Sequence, residues 1–194
     1  MAENKVTFGL KNVYYSVLTF GTNGAPSYAT PVALPGAVNL NLDAQGDRSV
    51  FYADDVEYFV INNNSGYSGT LEVARLTDDF RKTILGEILD NKGVLVENKN
   101  AAAVHFALLF EFDGDITPTK HVVYNLTASR PSVASTTKTE TTEPQTESLD
   151  ISAGSIFVSA LNANIVKART AENTDASTYS GWNSAVYIPA GLPS

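Results

Sequence analysis

The segment AAVHFALLFEFDGDITPTKHVVYNLTA (residues 102–128) contains two runs rich in Val, Leu, Phe and Tyr on either side of the polar stretch DGDITPT. β-Branched and aromatic residues are enriched in strands, whereas Asp, Gly and Pro are typical of turns. The segment therefore predicts a β-hairpin whose loop is longer than the tightest two-residue turns.

Alternation of apolar and polar residues dominates the rest of the chain. In AVNLNLDA (37–44) the apolar residues share one face of a predicted strand, and the Asn and Asp residues share the other. The further strand candidates are KVTFGLKNVYYSVLTF (5–20), VEYFVINN (56–63), SGTLEVARL (68–76) and GVLVEN (93–98). The pattern predicts a mainly β fold.

One segment has helical rather than strand periodicity. TDDFRKTILGEILDNKG (77–93) begins with the N-cap candidates Thr77 and Asp78 and ends at Gly93. Gly86 inside the segment is unfavourable in a helix, so we expect close packing there. A single flanking helix at about 78–90 is predicted, with its apolar stripe against a sheet: Phe80, Ile84, Leu85, Ile88 and Leu89.

The stretch TTKTETTEPQTESLDI (136–151) is almost free of apolar residues before Leu149. Thr137, Thr139 and Thr141 share one strand parity, and threonine favours strands. Pro144 is tolerated at a strand edge. Composition leaves two alternatives open here, a disordered linker and an ordered polar strand.

Length and composition bound the class of protein. The 194 residues, 43% of them hydrophobic, predict a single domain 1–194 that includes the polar strand or loop segment 130–150 and an irregular C-terminal arm from about 165 to 194. The net charge of −8 disfavours tight binding to nucleic acid or to an anionic membrane. The chain has no cysteine, so disulfides and thiolate metal sites are excluded. No apolar run approaches the ~20 residues that span a bilayer, and the N-terminus lacks a signal-peptide pattern.

Catalytic equipment is sparse. His105 and His121 both fall on predicted strands, where a structural role is the commoner one, and no nucleophile, zinc or phosphate-loop motif occurs. The paired carboxylates fall at predicted turns or at the helix start; calcium binding at Asp54 and Asp55 is a minor alternative, because the spacing matches no known loop. We expect no catalytic, metal-binding or cofactor-binding residues, and hence no enzyme.

Tyrosine and phenylalanine cluster in the first third of the chain. A carbohydrate-binding platform is one interpretation of such a cluster, and burial in a core or an interface is the other. The aromatic residues concerned are Tyr14, Tyr15, Tyr52, Tyr58, Phe59 and Tyr67.

Several of these stretches occur together in an order that resembles a known family, the major tail proteins (tail tube proteins) of long-tailed bacteriophages, in particular the phi13-type family. The resemblance runs from about Lys5 to Leu161 and is most specific from Gly66 to Glu97. The segments that carry it are KNVYYSVLTF (11–20), FYADDVEYF (51–59), SGYSGTLEVARLTDDFRKTILGEILDNKGVLVEN (65–98), ALLFEFDGD (107–115), VVYNLTASRPS (122–132) and TTKTETTEPQTESL (136–149).

This resemblance implies a structural virion protein. Such subunits have a β-sandwich or barrel with one helix, form hexameric rings, and stack the rings into a tube through which DNA is ejected. The implied partners are further copies of the chain and other tail proteins, such as the tape measure and terminator proteins, with no membrane and no cofactor. The implied location is the virion tail, after assembly in the host cytoplasm.

The inner wall of a DNA conduit is in contact with water and must not bind phosphate tightly, which predicts acidic residues facing the lumen. The candidates are Glu140, Glu143, Glu147, Asp150 and Asp43. Thr137, Thr139 and Thr141 are candidates for pairing between subunits. The turn-rich segments Gly21–Tyr28 and Ala44–Val50 and the two termini are candidates for contacts between rings.

Overall fold

The computed structural model describes residues 4–137 and 144–191. The fold is mainly β, with 49% of residues in strands and 7% in helices, and its antiparallel sheets are those of a β-sandwich. The strands are β1 (Thr7–Phe20), β2 (Pro26–Tyr28), β3 (Val32–Ala33), β4 (Ala37–Gln45), β5 (Arg48–Ala53), β6 (Val56–Asn62), β7 (Gly66–Val73), β8 (Ile88–Leu89), β9 (Leu95–Val96), β10 (Phe106–Gly114), β11 (Thr119–Ala128), β12 (Glu147–Gly154), β13 (Ile156–Val158), β14 (Ala163–Ile165) and β15 (Lys167–Arg169), and the helices are α1 (Asp78–Thr83) and α2 (Ala176–Gly181).

One large antiparallel sheet organises the fold. Its strands follow the order β2-β1-β10-β11-β12-β7-β4, with β3 added beside β1 and β15 beside β11. Three separate hairpins, β5–β6, β8–β9 and β13–β14, lie outside this sheet. Within the described residues no ladder joins the two ends of the sheet, so the barrel alternative is not realised.

The predicted hairpin at 102–128 is confirmed as β10 and β11, and it lies at the centre of the sheet. Alternate residues of β10 enter two different cores: Phe106 and Leu108 enter the first, and Ala107 and Leu109 the second. A strand buried on both faces has a continuous apolar sequence rather than an alternating one, as FALLF does. The hairpin therefore requires a covering layer on each side of the sheet.

Helix α1 covers the first core. The Thr77 hydroxyl accepts a hydrogen bond from the Phe80 N–H (3.2 Å), which caps the helix start as predicted. The fully buried Phe80 ring packs edge-to-face on Tyr15 and Phe106, with centroid distances of 5.0 and 5.9 Å. The Tyr15 hydroxyl also donates to the Asp79 carboxylate (2.8 Å), so the helix is tied to β1 by both apolar and polar contacts.

The helix is shorter than its predicted span of 78–90, because it ends at Thr83. Gly86 has a left-handed backbone (φ +69°), and a Cβ atom there would lie 2.6 Å from the Ala101 Cβ. The expected close packing at Gly86 is therefore present, but it redirects the chain instead of continuing the helix. Ile84 is buried as predicted, whereas Ile88 and Leu89 belong to β8 and are exposed.

The C-terminal part of the chain covers the second core. Residues after 165 were expected to be irregular, but β15 pairs with β11, and α2 follows it. Trp182, directly after α2, is buried in the second core. The Lys120 Nζ lies 3.4 Å from the buried Glu111 carboxylate and donates to the Tyr179 carbonyl (3.0 Å), and the Asn183 amide donates to Glu111 (2.9 Å). A buried ion pair is costly unless further hydrogen bonds satisfy it, and this segment supplies them.

The other strand predictions differ in outcome. Strands occupy most of 5–20, 37–44, 56–63 and 68–76, whereas 93–98 contains only the two residues of β9. In the stretch 136–151, β12 begins at Glu147, and residues 136–137 and 144–146 have no regular structure. Residues 138–143, the middle of the predicted linker or strand, lie outside the described residues.

We predict that Phe80→Ala lowers the free energy of unfolding by about 3–5 kcal/mol, because the substitution leaves a cavity between the helix and the sheet. Chemical denaturation monitored by circular dichroism measures the change. Lys82→Ala, in the same helix, removes only an exposed contact to Asp79 and is the control, with an expected loss within about 0.5 kcal/mol. Equal losses in the two variants would contradict this role for Phe80.

A second prediction concerns His121, which stacks in parallel on Phe110 at 5.1 Å and touches Phe112. Burial, and then the charges of Arg169 and Lys167, lower its pKa from 6.5 to about 4. The unfolded chain therefore takes up a proton in this pH range that the folded chain does not, and stability falls as the pH drops from about 6.5 to about 4.

Replacing the group by His121→Phe is expected to remove this component of the pH dependence, as measured by urea denaturation between pH 4 and pH 7. His105→Gln removes the other histidine, from an exposed position, and serves as the control. An unchanged pH profile in the His121 variant would contradict the assignment.

Candidate assembly surfaces

A polar face covers one side of the three-stranded end of the sheet, β12–β7–β4. The strand register places nine side chains in three cross-strand rows on this face. Three of the nine are acidic and none is basic. From β4 to β12 the rows are Asn39–Glu72–Ser148, Asn41–Thr70–Asp150 and Asp43–Ser68–Ser152.

The opposite side of the same three strands is apolar. Leu71, Leu149 and Ile151 are buried there, and Leu40 and Leu42 pack against the same core. The separation follows directly from the alternation that the sequence shows at 37–44 and 147–153, because successive side chains of a strand point to opposite faces. The polar face is therefore held in place by the burial of its apolar reverse side.

Strand β4 is an open edge. It pairs with β7 on one side, and within the described residues no ladder forms along its other side. An uncovered edge of nine residues presents unpaired N–H and C=O groups that another strand can extend. The edge lies directly beside the polar face, so a strand added there would continue both the sheet and that face.

The structure brings two of the predicted lumen residues together and separates a third from them. Asp43 and Asp150 lie exposed on the polar face, in adjacent rows. Glu147 has the strand parity of Leu149 and points to the helix side, where its carboxylate pairs with Arg81 and accepts a hydrogen bond from the Leu76 N–H (2.5 Å). That parity was readable in the sequence and would have set Glu147 apart from Asp150.

The remaining predicted positions lie in or beside the undescribed segment. Glu140, Glu143, Thr139 and Thr141 fall within 138–143, outside the described residues. Thr137 is exposed and in no strand. Their assignment to the lumen or to subunit pairing stays a prediction.

The hairpin β5–β6, here called the arm (residues 48–62), exposes apolar residues on both of its faces. Its tip is a turn in which Asp54 and Asp55 have left-handed backbones (φ 50° and 61°), as the sequence predicted for a turn. Arg48 and Glu57 form an ion pair across its strands (2.5 Å). Seven apolar side chains are between 38% and 71% exposed: Phe51, Tyr52, Val56, Tyr58, Phe59, Val60 and Ile61.

Nothing in the described part of the chain covers the arm. Phe51 and Phe59 are direct cross-strand partners, and both remain exposed. A two-stranded hairpin alone in water is marginally stable, because it has no third layer against which to bury its side chains. The apolar side chains of the arm are therefore left exposed to solvent, and the sequence had shown only its strands and not their exposure.

The tyrosine-rich cluster does not form one surface. Tyr15 is buried in the first core, whereas Tyr52 and Tyr58 lie on the arm. Tyr67 lies elsewhere again, with the Lys167 ammonium 4.5 Å from its ring centroid. A single sugar-binding platform built from the whole cluster is therefore absent from this structure.

The histidines and the paired carboxylates are the side chains that could supply metal ligands. No three His, Asp or Glu side chains of residues 4–137 and 144–191 converge as metal ligands. His105 contacts the Asn125 side chain (2.7 Å), and His121 lies among phenylalanines. None of the described helices is long and apolar enough to cross a bilayer.

The segments predicted to join rings have distinct places in the fold. Gly21–Tyr28 forms a turn and β2, at the sheet end opposite β4, and Ala44–Val50 leads from β4 into the arm.

No protein-family model matches the chain, and no curated protein matches it.

We predict that Glu147→Ala destabilises the fold by about 1–3 kcal/mol, because it leaves the Leu76 N–H without its acceptor and leaves Arg81 paired with Glu87 alone. Asp150→Ala, on the exposed polar face of the same strand, is the matched control and should change stability by less than about 0.5 kcal/mol. Thermal and urea denaturation of both variants measure the difference. If Glu147→Ala leaves the free energy of unfolding unchanged, the carboxylate is free, as its predicted position facing the lumen requires.

Proposed function

We propose that the chain is a structural subunit of a bacteriophage tail tube, polymerising as stacked rings, hexameric by resemblance, around a conduit for DNA. The observation that carries the proposal is the arm, a hairpin that exposes seven apolar side chains and finds no cover in the described part of its own chain. The sequence resemblance supports the same function.

The area exposed by the arm suits an assembly contact. Its four aromatic side chains, about 60% exposed, offer roughly 500 Å² if each has ~150–250 Å² to bury, and three aliphatic side chains add to this. The largest apolar patch on a typical monomer is itself about 300–600 Å², whereas stable interfaces bury about 800 Å² per partner. The two faces of the arm together thus offer an apolar area comparable to a large part of one side of a stable interface.

The open sheet supports ring formation. A strand from a neighbouring copy that pairs along β4 would continue the sheet from subunit to subunit, and a head-to-tail contact of this kind closes into a ring if the rotation permits. The polar face would then line the ring continuously. Its apolar reverse side is already buried in each subunit, so only the polar side is left to meet water.

The charges of the polar face suit a passage for DNA. Nine side chains there include Asp43, Glu72 and Asp150 and no lysine or arginine. Tight binding to DNA relies on basic residues that release counterions from phosphate, so such a wall would let DNA pass without holding it. Other tail proteins, such as the tape measure and terminator proteins, would be the remaining partners.

We expect the purified chain to form rings or tubes as its concentration rises, visible by negative-stain microscopy. Phe51→Ser combined with Phe59→Ser should raise the concentration needed for assembly by at least about tenfold, because each phenylalanine side chain contributes on the order of 1.5–3 kcal/mol when it is buried. Val133→Ser removes a fully exposed apolar residue outside the arm and is the control.

The same experiment separates the alternatives. A chain that stays monomeric at every concentration contradicts the proposal, and saturable binding to a glycan array by such monomers would favour the carbohydrate-binding alternative. A cryo-EM map of the tube whose inner wall is basic would contradict the assignment of the polar face to the lumen.

A further inference from the structure

A second hairpin, β8–β9 with its flanks (residues 87–97, here called the short hairpin), also exposes apolar residues. Ile88, Leu89, Val94 and Val96 are between 48% and 55% exposed. The turn is held by Asp90, whose carboxylate accepts hydrogen bonds from the N–H groups of Lys92 and Val94 (both 2.8 Å). The short hairpin is therefore a preformed apolar surface and not a loose loop.

The carboxylates around the short hairpin are already engaged. Glu87 pairs with Arg81 (3.1 Å) and Glu97 with Arg130 (3.0 Å), while Asp90 holds the turn. Lys92 and Lys99 are exposed, and no carboxylate of the described residues lies within ion-pair distance of either. The ammonium groups of Lys92, on the short hairpin, and of Lys99, two residues beyond it, can therefore pair with carboxylates of another copy, while the Asp90 carboxylate is turned towards the backbone of its own turn.

The tip of the arm has the opposite charge. Arg48 neutralises Glu57, but Asp54 and Asp55 at the tip are exposed, and no cation of the described residues pairs with them. The arm therefore presents an apolar surface with two unneutralised negative charges. Its apolar character and its charge both complement those of the short hairpin.

We propose that the arm of one copy docks on the short hairpin of a second copy, with Asp54 and Asp55 facing Lys92 and Lys99. Both surfaces remain exposed within one protomer, so the contact joins different copies. Apolar burial provides the attraction, and the opposed charges set the orientation of the arm, since complementary charges give specificity more than affinity. This inference rests on the proposed function, because it names the surface that receives the arm in the assembly.

Cysteine cross-linking tests the contact directly, because the native chain contains no cysteine. Asp55→Cys and Lys92→Cys proteins are mixed in equal amounts under assembly conditions and oxidised. A disulfide requires Cα atoms within about 7 Å, so we expect cross-linked dimers that contain one chain of each variant. Lys5→Cys, an exposed lysine outside the short hairpin, replaces Lys92→Cys in the control mixture.

Charge reversal provides a second measurement. Asp54→Lys with Asp55→Lys should raise the assembly concentration several-fold, and adding Lys92→Glu with Lys99→Glu to the same chain should restore it. Light scattering and negative-stain microscopy measure the threshold. Failure of the reciprocal variant to recover would overturn the charge pairing.

The outcomes distinguish this inference from the proposed function. Tubes that form without cross-linking above the Lys5→Cys control overturn the docking contact and leave the tube function standing. Failure of the unmodified chain to assemble at any concentration, with no cross-link in the mixture, overturns both. Cross-linked dimers together with reciprocal rescue support the contact.

Discussion

The fold depends on a strand that is apolar on both faces. From Phe106 to Phe110, β10 has no polar side to turn towards water, so the sheet must be covered twice. Helix α1 and the strands around it cover one side, and the C-terminal segment with Trp182 covers the other. This demand explains why residues after 165 are docked on the sheet, and why the Glu111–Lys120 pair is enclosed and hydrogen-bonded by that segment.

At the periphery of the fold, in contrast to β10, large apolar residues are exposed. The arm and the short hairpin together expose eleven large apolar side chains, while the centre of the sheet is fully buried. Both hairpins have few packing partners, but their turns are well defined. Asp54 and Asp55 form the turn of the arm, and Asp90 holds the turn of the short hairpin. Such surfaces are a liability in a solitary chain and an advantage in a subunit whose neighbours are copies of itself.

Periodicity predicted the strands well and the ends of elements less well. The alternation at 37–44 predicted both faces of β4 except at Val38, which is exposed where the pairing with β7 shifts register. Asp43 and Asp150 share a surface because strand parity is a local property. The helical stripe from Phe80 to Leu89 was only half correct, since Gly86 turns the chain where Ala101 packs against it. No local pattern could reveal that contact, which joins residues fifteen positions apart. Glu147 was misassigned although its parity with Leu149 was available.

The sequence by itself determined which segments are strands, which faces are polar and that the chain is acidic, because these properties depend on neighbouring residues and their period. Only the tertiary structure decided which apolar residues are covered. Phe59 and Phe106 look alike in sequence, but one lies on an uncovered arm and the other in a core beneath a helix. Burial depends on what the rest of the chain places against a residue, and that is a property of the whole fold.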